Sequence, residues 1–306
     1  MKQLFLASLV LMLEAPVQVH GQLRITATER LPIDPSGSWG SPRFSPDGQS
    51  VFFTDADNNG IWEYALRTRA VRQITADPQA GGTFNISSDG SQIVYRRTTY
   101  DRTTKSRKQA IVIRGLLDNS TRVVATGRSV SVPVFSQNAV VYSIQGRTNS
   151  LSAIANATEV AVLGIEETKI ALNRNGKKVI LDPMKNGSYI WPALSPDRQR
   201  IVAYEMDRGT FVCDVQGKVI SKLNRRDAAV WSRSGNWLIY MDDKDDGHRM
   251  MSSDLHAVSP DGKRQVQLTF TNDIMEVYPN CSPTENKIVC TSLEGALYLL
   301  SYEEEE

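Results

Sequence analysis

Residues 39–54 read WGSPRFSPDGQSVFFT. An apolar strand reaches Phe44, Ser45-Pro46-Asp47-Gly48 reverses the chain, and Val51-Phe52-Phe53 runs back. Pro presets φ and Asp-Gly tolerates the positive φ of a tight reversal, so the stretch predicts a β-hairpin. The pattern recurs as TFNISSDGSQIVYR (83–96), WPALSPDRQRIVAY (191–204), AAVWSRSGNWLIYM (228–241) and YPNCSPTENKIVCT (278–291), with VPVFSQNAVVYS (132–143) as a shortened copy. After the first hairpin come an Asp/Asn/Gly loop and two further short strands, at 61–66 and 70–75; most later copies are followed by a similar pair. Each repeat is thus four short antiparallel strands in about 40 to 50 residues, the signature of a propeller blade.

A lone four-stranded sheet cannot bury both faces, so such blades stack around an axis and cover one another. The sequence therefore predicts an all-β, six-bladed β-propeller of four-stranded antiparallel blades as a single domain over residues 22–302. The last repeat holds three strands, ending at 297–302, while LRITATERL (23–31) precedes the first hairpin without a partner of its own. Adding that N-terminal strand to the last blade would close the ring and remove an open edge. Residues 132–183 hold more strands than one blade needs, which is read as an extra hairpin; seven blades with a degenerate fourth is the alternative.

These repeats, PRFSPDGQSVFFT with GIWEYAL and WPALSPDRQRIVAY with TFVCDV, resemble the TolB-type propeller repeats of bacterial envelope proteins. They are also similar to the propeller of dipeptidyl-peptidase-IV-type proteins. The resemblance covers residues 39–302 and implies fold more than function. TolB carries an α/β domain before its propeller, whereas about eighteen residues separate the expected signal from the first blade here. The hydrolase domain of the peptidases has no counterpart, and no Gly-x-Ser-x-Gly elbow occurs.

Residues 1–21 place Lys2 before the apolar run Leu4 to Leu13 and end in Val19-His20-Gly21, which reads as a cleaved secretory signal. The run is too short to span a bilayer, and no later segment approaches the necessary length, so a periplasmic or secreted protein without a transmembrane segment is expected. Among 306 residues, 41% are hydrophobic and 23% charged, with a net charge of +1, which provides no global field for nucleic acid. Cys213, Cys281 and Cys290 are an odd set and read as free thiols. The run Glu303 to Glu306 reads as an acidic tail.

Binding chemistry is expected at the channel mouth, because first strands line a propeller's axis. The aligned copies place Ser41, Thr83, Trp191, Ala228 and Tyr278 at one position, and Arg43, Asn85, Ala193, Val230 and Asn280 two residues later on the same face. Trp191, Tyr278, Arg43, Asn85 and Asn280, with Trp39 and Asp227 on the entry loops, would form a polar pocket with aromatic walls, suited to a sugar or a peptide end; packing between blades is the alternative for the aromatics and the preferred one for Trp39. His248 follows the acidic loop 242–247 and joins this set; His256 alternates with Leu255 in a strand and reads as packed. The loops at 55–60 and 242–247 are Asp-rich, but neither completes an EF-hand pattern, so they read as solvated turns, with calcium as the alternative and no other cofactor expected. The basic run Arg96, Arg97, Arg102, Lys105, Arg107 and Lys108 reads as an exposed loop without the aromatic platform of a nucleic-acid site. The expected function is a non-enzymatic binding or scaffold protein, monomeric, that recognises an envelope protein or glycan at one propeller face. The alternative is a propeller enzyme of lyase or hydrolase type, with carboxylates and His248 at the channel mouth.

Overall fold

A computed structural model of the chain describes residues 23–136, 139–144, 147–151 and 160–305. The expected signal segment, 1–21, lies outside the described residues. The first blade is Trp39–Phe44, Ser50–Asp55, Ile61–Ala65 and Val71–Thr75, hydrogen-bonded in that order. The second is Phe84–Ile86, Gln92–Asp101, Ser106–Gly115 and Thr121–Gly127. Two three-stranded sheets follow: Val134–Ser136, Ala139–Ile144 and Arg147–Leu151, then Ala161–Glu166, Lys169–Arg174 and Lys177–Leu181. The fifth sheet is Tyr189–Leu194, Arg200–Glu205, Gly209–Asp214 and Val219–Asn224, and the sixth is Asp227–Trp231, Leu238–Asp245, Met250–Val258 and Gln265–Gln267.

The last sheet is Glu276–Cys281, Lys287–Ser292 and Leu297–Glu304, completed by Leu23–Arg30. The spare N-terminal strand thus closes the ring, antiparallel to the C-terminal strand, with Leu23 opposite Glu304 and Arg30 opposite Tyr298. That strand runs two residues into the acidic run, where Arg24 and Glu303 pair at 2.6 Å. The all-β propeller of antiparallel blades is as the sequence predicts. The prediction is six four-stranded blades, with seven as the alternative; the described residues hold five four-stranded sheets and two three-stranded ones. The stretch predicted as one blade with an extra hairpin, 132–183, divides into the two short sheets.

Alternation along each strand builds the core between blades. Phe52 packs with Ile61, Phe84, Ile93 and Tyr95 of the first and second blades, whereas its neighbours Val51 and Phe53 pack with Val289 and Leu297 of the last. Equivalent clusters join the second sheet to the third, the fourth to the fifth, the fifth to the sixth and the sixth to the last. Between the third and fourth sheets lies instead a cavity of about 60 Å3 lined in part by Tyr142, Leu163, Ile165 and the Lys178–Glu166 ion pair. Asn173 donates to Ser136 across this seam.

The recurring turn has one mechanism. Ser45 Oγ donates to Asp47 and accepts the N–H of Ser50 at 2.9 Å, while Asp47 caps the N–H of Gln49. Ser87 with Asp89 and Ser195 with Asp197 repeat it, and Ser259 with Asp261 uses it at a strand-three-to-four corner. At Gly48, φ is +69° and a Cβ would lie 2.0 Å from Thr284 Oγ1 of the last blade, so the first turn requires glycine twice over.

The basic run is not a loop. Gln92–Asp101 and Ser106–Gly115 form a long hairpin arm that turns only at 102–105, with Arg96 donating to the Val130 carbonyl and Arg97 paired with Asp77. Leu238–Asp245 and Met250–Val258 form a second arm. All three cysteines are free thiols. Among the described residues, no helix is long and apolar enough to cross a membrane.

Candidate ligand-binding channel

Four inner strands share one irregularity. Ser41, Trp191, Ala228 and Tyr278 all adopt left-handed backbone, with φ of 50°, 51°, 51° and 54°, and at each the register with the second strand slips. These are β-bulges, which re-aim side chains at the inner edge of a blade. Trp191 and Tyr278 are consequently 38% and 48% exposed, although they lie within strands. Trp191 meets Tyr204 edge-on at 5.7 Å.

Beyond the bulge, the inner strands run towards the Ser-Pro-Asp turns and enclose the channel. One cavity of about 280 Å3 is lined by Arg43, Asn85 and Asn280 together, with Phe84 and Cys281. It shares Asn280, Cys281 and Pro283 with a cavity of about 390 Å3 lined also by Ala193, Val230 and Arg233. It shares Asn85 and Ile86 with a third, of about 410 Å3, that reaches Leu194, Pro196 and Arg198. The shared walls make the three cavities segments of one central channel. All five residues aligned two positions after the bulge, Arg43, Asn85, Ala193, Val230 and Asn280, therefore line it.

Three of these residues also tie adjacent blades. Asn280 Oδ1 accepts the N–H of Phe44 at 3.0 Å, Arg43 Nη1 donates to the Phe84 carbonyl at 3.0 Å, and Asn85 Oδ1 accepts the N–H of Phe135 at 2.8 Å. Trp231 Nε1 likewise donates to the Ala193 carbonyl. The Arg43 side chain is open to solvent yet has protein around it, as a channel residue must, and that burial lowers its pKa without an acidic neighbour to oppose it. A guanidinium remains charged regardless. It lies 5.2 Å from the centre of the Phe84 ring. The three cavities are lined by Arg43, Arg198 and Arg233 and by no carboxylate.

The remaining sequence candidates go elsewhere. Trp39 packs edge-on against Phe53 and Trp62, and its Nε1 donates to the Asp34 carbonyl, so its indole serves the first blade's packing. His248 lies at the tip of the second hairpin arm, exposed, with its backbone N–H on Asp246. The arm extends the second and third strands past the end of the inner strand, which pairs only as far as Met241, and His248 lines none of the three cavities. His256 packs against Tyr240 with the rings tilted and their centres 5.6 Å apart, and burial lowers its pKa.

Asp227 is buried and joins an acid pair that sequence reading misses. Arg225 bridges Asp227 and Asp243, 2.8 Å from each, and Asp243 Oδ1 is buried without another partner. Burial, then the nearby Asp243 carboxyl, raises the Asp227 pKa against the pull of Arg225. The Asp-rich loops otherwise satisfy themselves: Asp55 caps the N–H of Asn59, and Asp246 those of His248 and Arg249. Among the described residues, no three His, Cys, Asp or Glu side chains converge as metal ligands. Also missed are the turn prolines Pro46, Pro196 and Pro283 and the arginines Arg198 and Arg233 in the channel wall. The signal for the arginines was present, since both replace residues of the Ser-Pro-Asp-Gly turn.

No family model matches the sequence, and no curated protein matches it. Among solved structures, TolB from Acinetobacter baumannii aligns with a TM-score of 0.52 and 15% identity, covering 76% of this chain and 54% of that one. The chain thus spans about half the length of that TolB. The β-propeller domain of Myceliophteria thermophila Cps50 (Swd1) aligns with a TM-score of 0.60 and 10% identity, covering 92% and 99%. An oligogalacturonate lyase in complex with manganese aligns at 0.49 and 14% identity, covering 86% and 76%. At these identities the likeness is one of fold, and the fold is a β-propeller.

Proposed function

We propose that the protein is a non-enzymatic binding or scaffold module, secreted or periplasmic, that takes a protein or glycan at the channel end of one propeller face. The observation that carries this reading is the meeting of Arg43, Asn85 and Asn280 in one solvent-accessible cavity. Polar side chains converging in a concave site are the usual mark of ligand recognition. Trp191 and Tyr278 line none of the three cavities but stand exposed on two of the same inner strands. A bulky side chain in left-handed backbone costs about 1 kcal/mol or more, and exposure returns little of it. Binding is the use that would retain them. Periplasmic location rests on the signal-like residues 1–21 and on the TolB likeness in fold.

One observation favours an enzyme instead, the Asp227–Asp243 pair, because two adjacent carboxyls, one of them raised in pKa by burial, can act as acid and base. Screening purified protein on glycan and peptide arrays decides between the two. Saturable binding that Arg43→Gln weakens, with ligands recovered intact, supports the binding module; repeated turnover of a substrate, abolished by Asp227→Asn, contradicts it.

A further inference from the structure

The channel cavity offers hydrogen-bond donors and almost no side-chain acceptors. Asn280 Oδ1 and Asn85 Oδ1 are occupied by the N–H groups of Phe44 and Phe135 at the blade seams. A primary amide carries its oxygen and its NH2 on opposite arms. With each oxygen engaged at a seam, the amide NH2 groups are the donors these two residues have left, and both residues line this cavity. The nearby Ser45 hydroxyl is used within its turn by Asp47 and Ser50. The Cys281 thiol, its pKa pushed up to about 12 by burial, stays protonated at neutral pH.

Arg43 supplies the charge. Its Nη1 holds the Phe84 carbonyl, and no acidic side chain lines this cavity to neutralise the guanidinium. The guanidinium fork matches the plane of a carboxylate, and one positive charge balances one negative charge, which suits a carboxylate better than a dianionic phosphate. The donors are held by the blade seams, so little ordering is required on binding.

We infer that this cavity binds the carboxylate group of a small ligand, with the Arg43 guanidinium as counter-ion and the Asn85 and Asn280 amide NH2 groups as flanking donors. The inference rests on the channel being the ligand site and names the chemistry taken there. The carboxylate is that of a free sugar acid or that at the end of a peptide, and the two sources are separable.

The test is calorimetric titration of the full chain with D-glucuronate and its methyl ester, and with acetyl-Ala-Ala as the free acid and as the C-terminal amide. One free acid is expected to bind, and its neutral counterpart to bind about ten- to a hundredfold more weakly, the worth of a charge-assisted hydrogen bond. Binding of glucuronate alone identifies a sugar acid as the source, and binding of the peptide alone a chain end. Arg43→Gln should give a comparable loss. Asn280→Asp retains an oxygen for the Phe44 N–H but brings a negative charge into the cavity. It should abolish binding with the melting temperature little changed, which separates lost recognition from lost folding. The inference is overturned if neither acid binds, if ester and amide bind as tightly as the acids, or if Arg43→Gln leaves affinity unchanged. A neutral glycan held in the channel and indifferent to Arg43→Gln would overturn it while the broader binding reading stood.

Discussion

The side chain of Asn280, in the last blade, holds the backbone N–H of Phe44, in the first, across a 3.0 Å hydrogen bond at the seam that closes the ring. Removing the oxygen strands a buried donor, so Asn280→Ala should cost about 1–3 kcal/mol. That corresponds to a melting temperature lower by about 2–6 °C in a domain of this size. Asn280→Asp keeps the acceptor and should lose much less in the same thermal scan.

Leu23 is fully buried in the core shared by the sixth and last sheets, although it begins the described chain. Leu23→Ala should destabilise by about 2–5 kcal/mol, measured by urea unfolding. Deleting 23–30 altogether should expose the backbone edge of Leu297–Glu304 and drive self-association, visible by size-exclusion chromatography.

Tyr278 is half exposed with φ of 54°. Glycine adopts that backbone without a Cβ penalty, so Tyr278→Gly should be more stable than Tyr278→Ala by about 1 kcal/mol. Equal stability of the two would mean that the bulge relaxes in solution.

Two aspartates should give opposite pH signatures. The folded-state pKa of Asp227 is raised by burial and Asp243, so its protonated form is favoured and its contribution is lost as pH rises through that pKa. Asp227→Asn should therefore stabilise the protein at pH 7, and the gain should fade below the ordinary carboxylate range. Asp261 is lowered to about 2, by Ser259 first and then the Lys263 N–H. Its contribution is present above the ordinary aspartate pKa and lost as pH falls from there through about 2. Asp261→Asn should destabilise at neutral pH and become indistinguishable from wild type in acid. Chemical denaturation at pH 7, 4 and 2.5 reads both.

The blades were legible because Ser-Pro-Asp-Gly carries its own mechanism: a hydroxyl, a carboxylate and a glycine close the turn with local bonds. Closure was legible from a strand without a partner and a blade without a fourth strand. Of the site, the Arg43, Asn85 and Asn280 ring followed from period-2 alignment of the copies. For Trp39 the packing alternative is the one realised, against Phe53 and Trp62, which reach it only after the blade folds. For His248 the sequence did not show how far the strands run: the hairpin arm below it is paired through Lys244 and Ser252. The Asp227–Arg225–Asp243 bridge joins residues on two strands and could not be read from spacing. The turn itself proved to have a second role, since Pro46, Pro196 and Pro283 line the channel whose blades they build.

Cys281 reports on the channel directly. It lines two of the three cavities and is partly exposed, whereas Cys213 and Cys290 are buried. With its pKa near 12, the thiol should react slowly with iodoacetamide at mildly alkaline pH, and first among the three. Its alkylation rate, followed by intact mass with and without a saturating ligand from the arrays, tests whether ligand occupies the channel. Marked slowing on ligand binding is the expected result; an unchanged rate under saturation would place the ligand elsewhere and contradict the account.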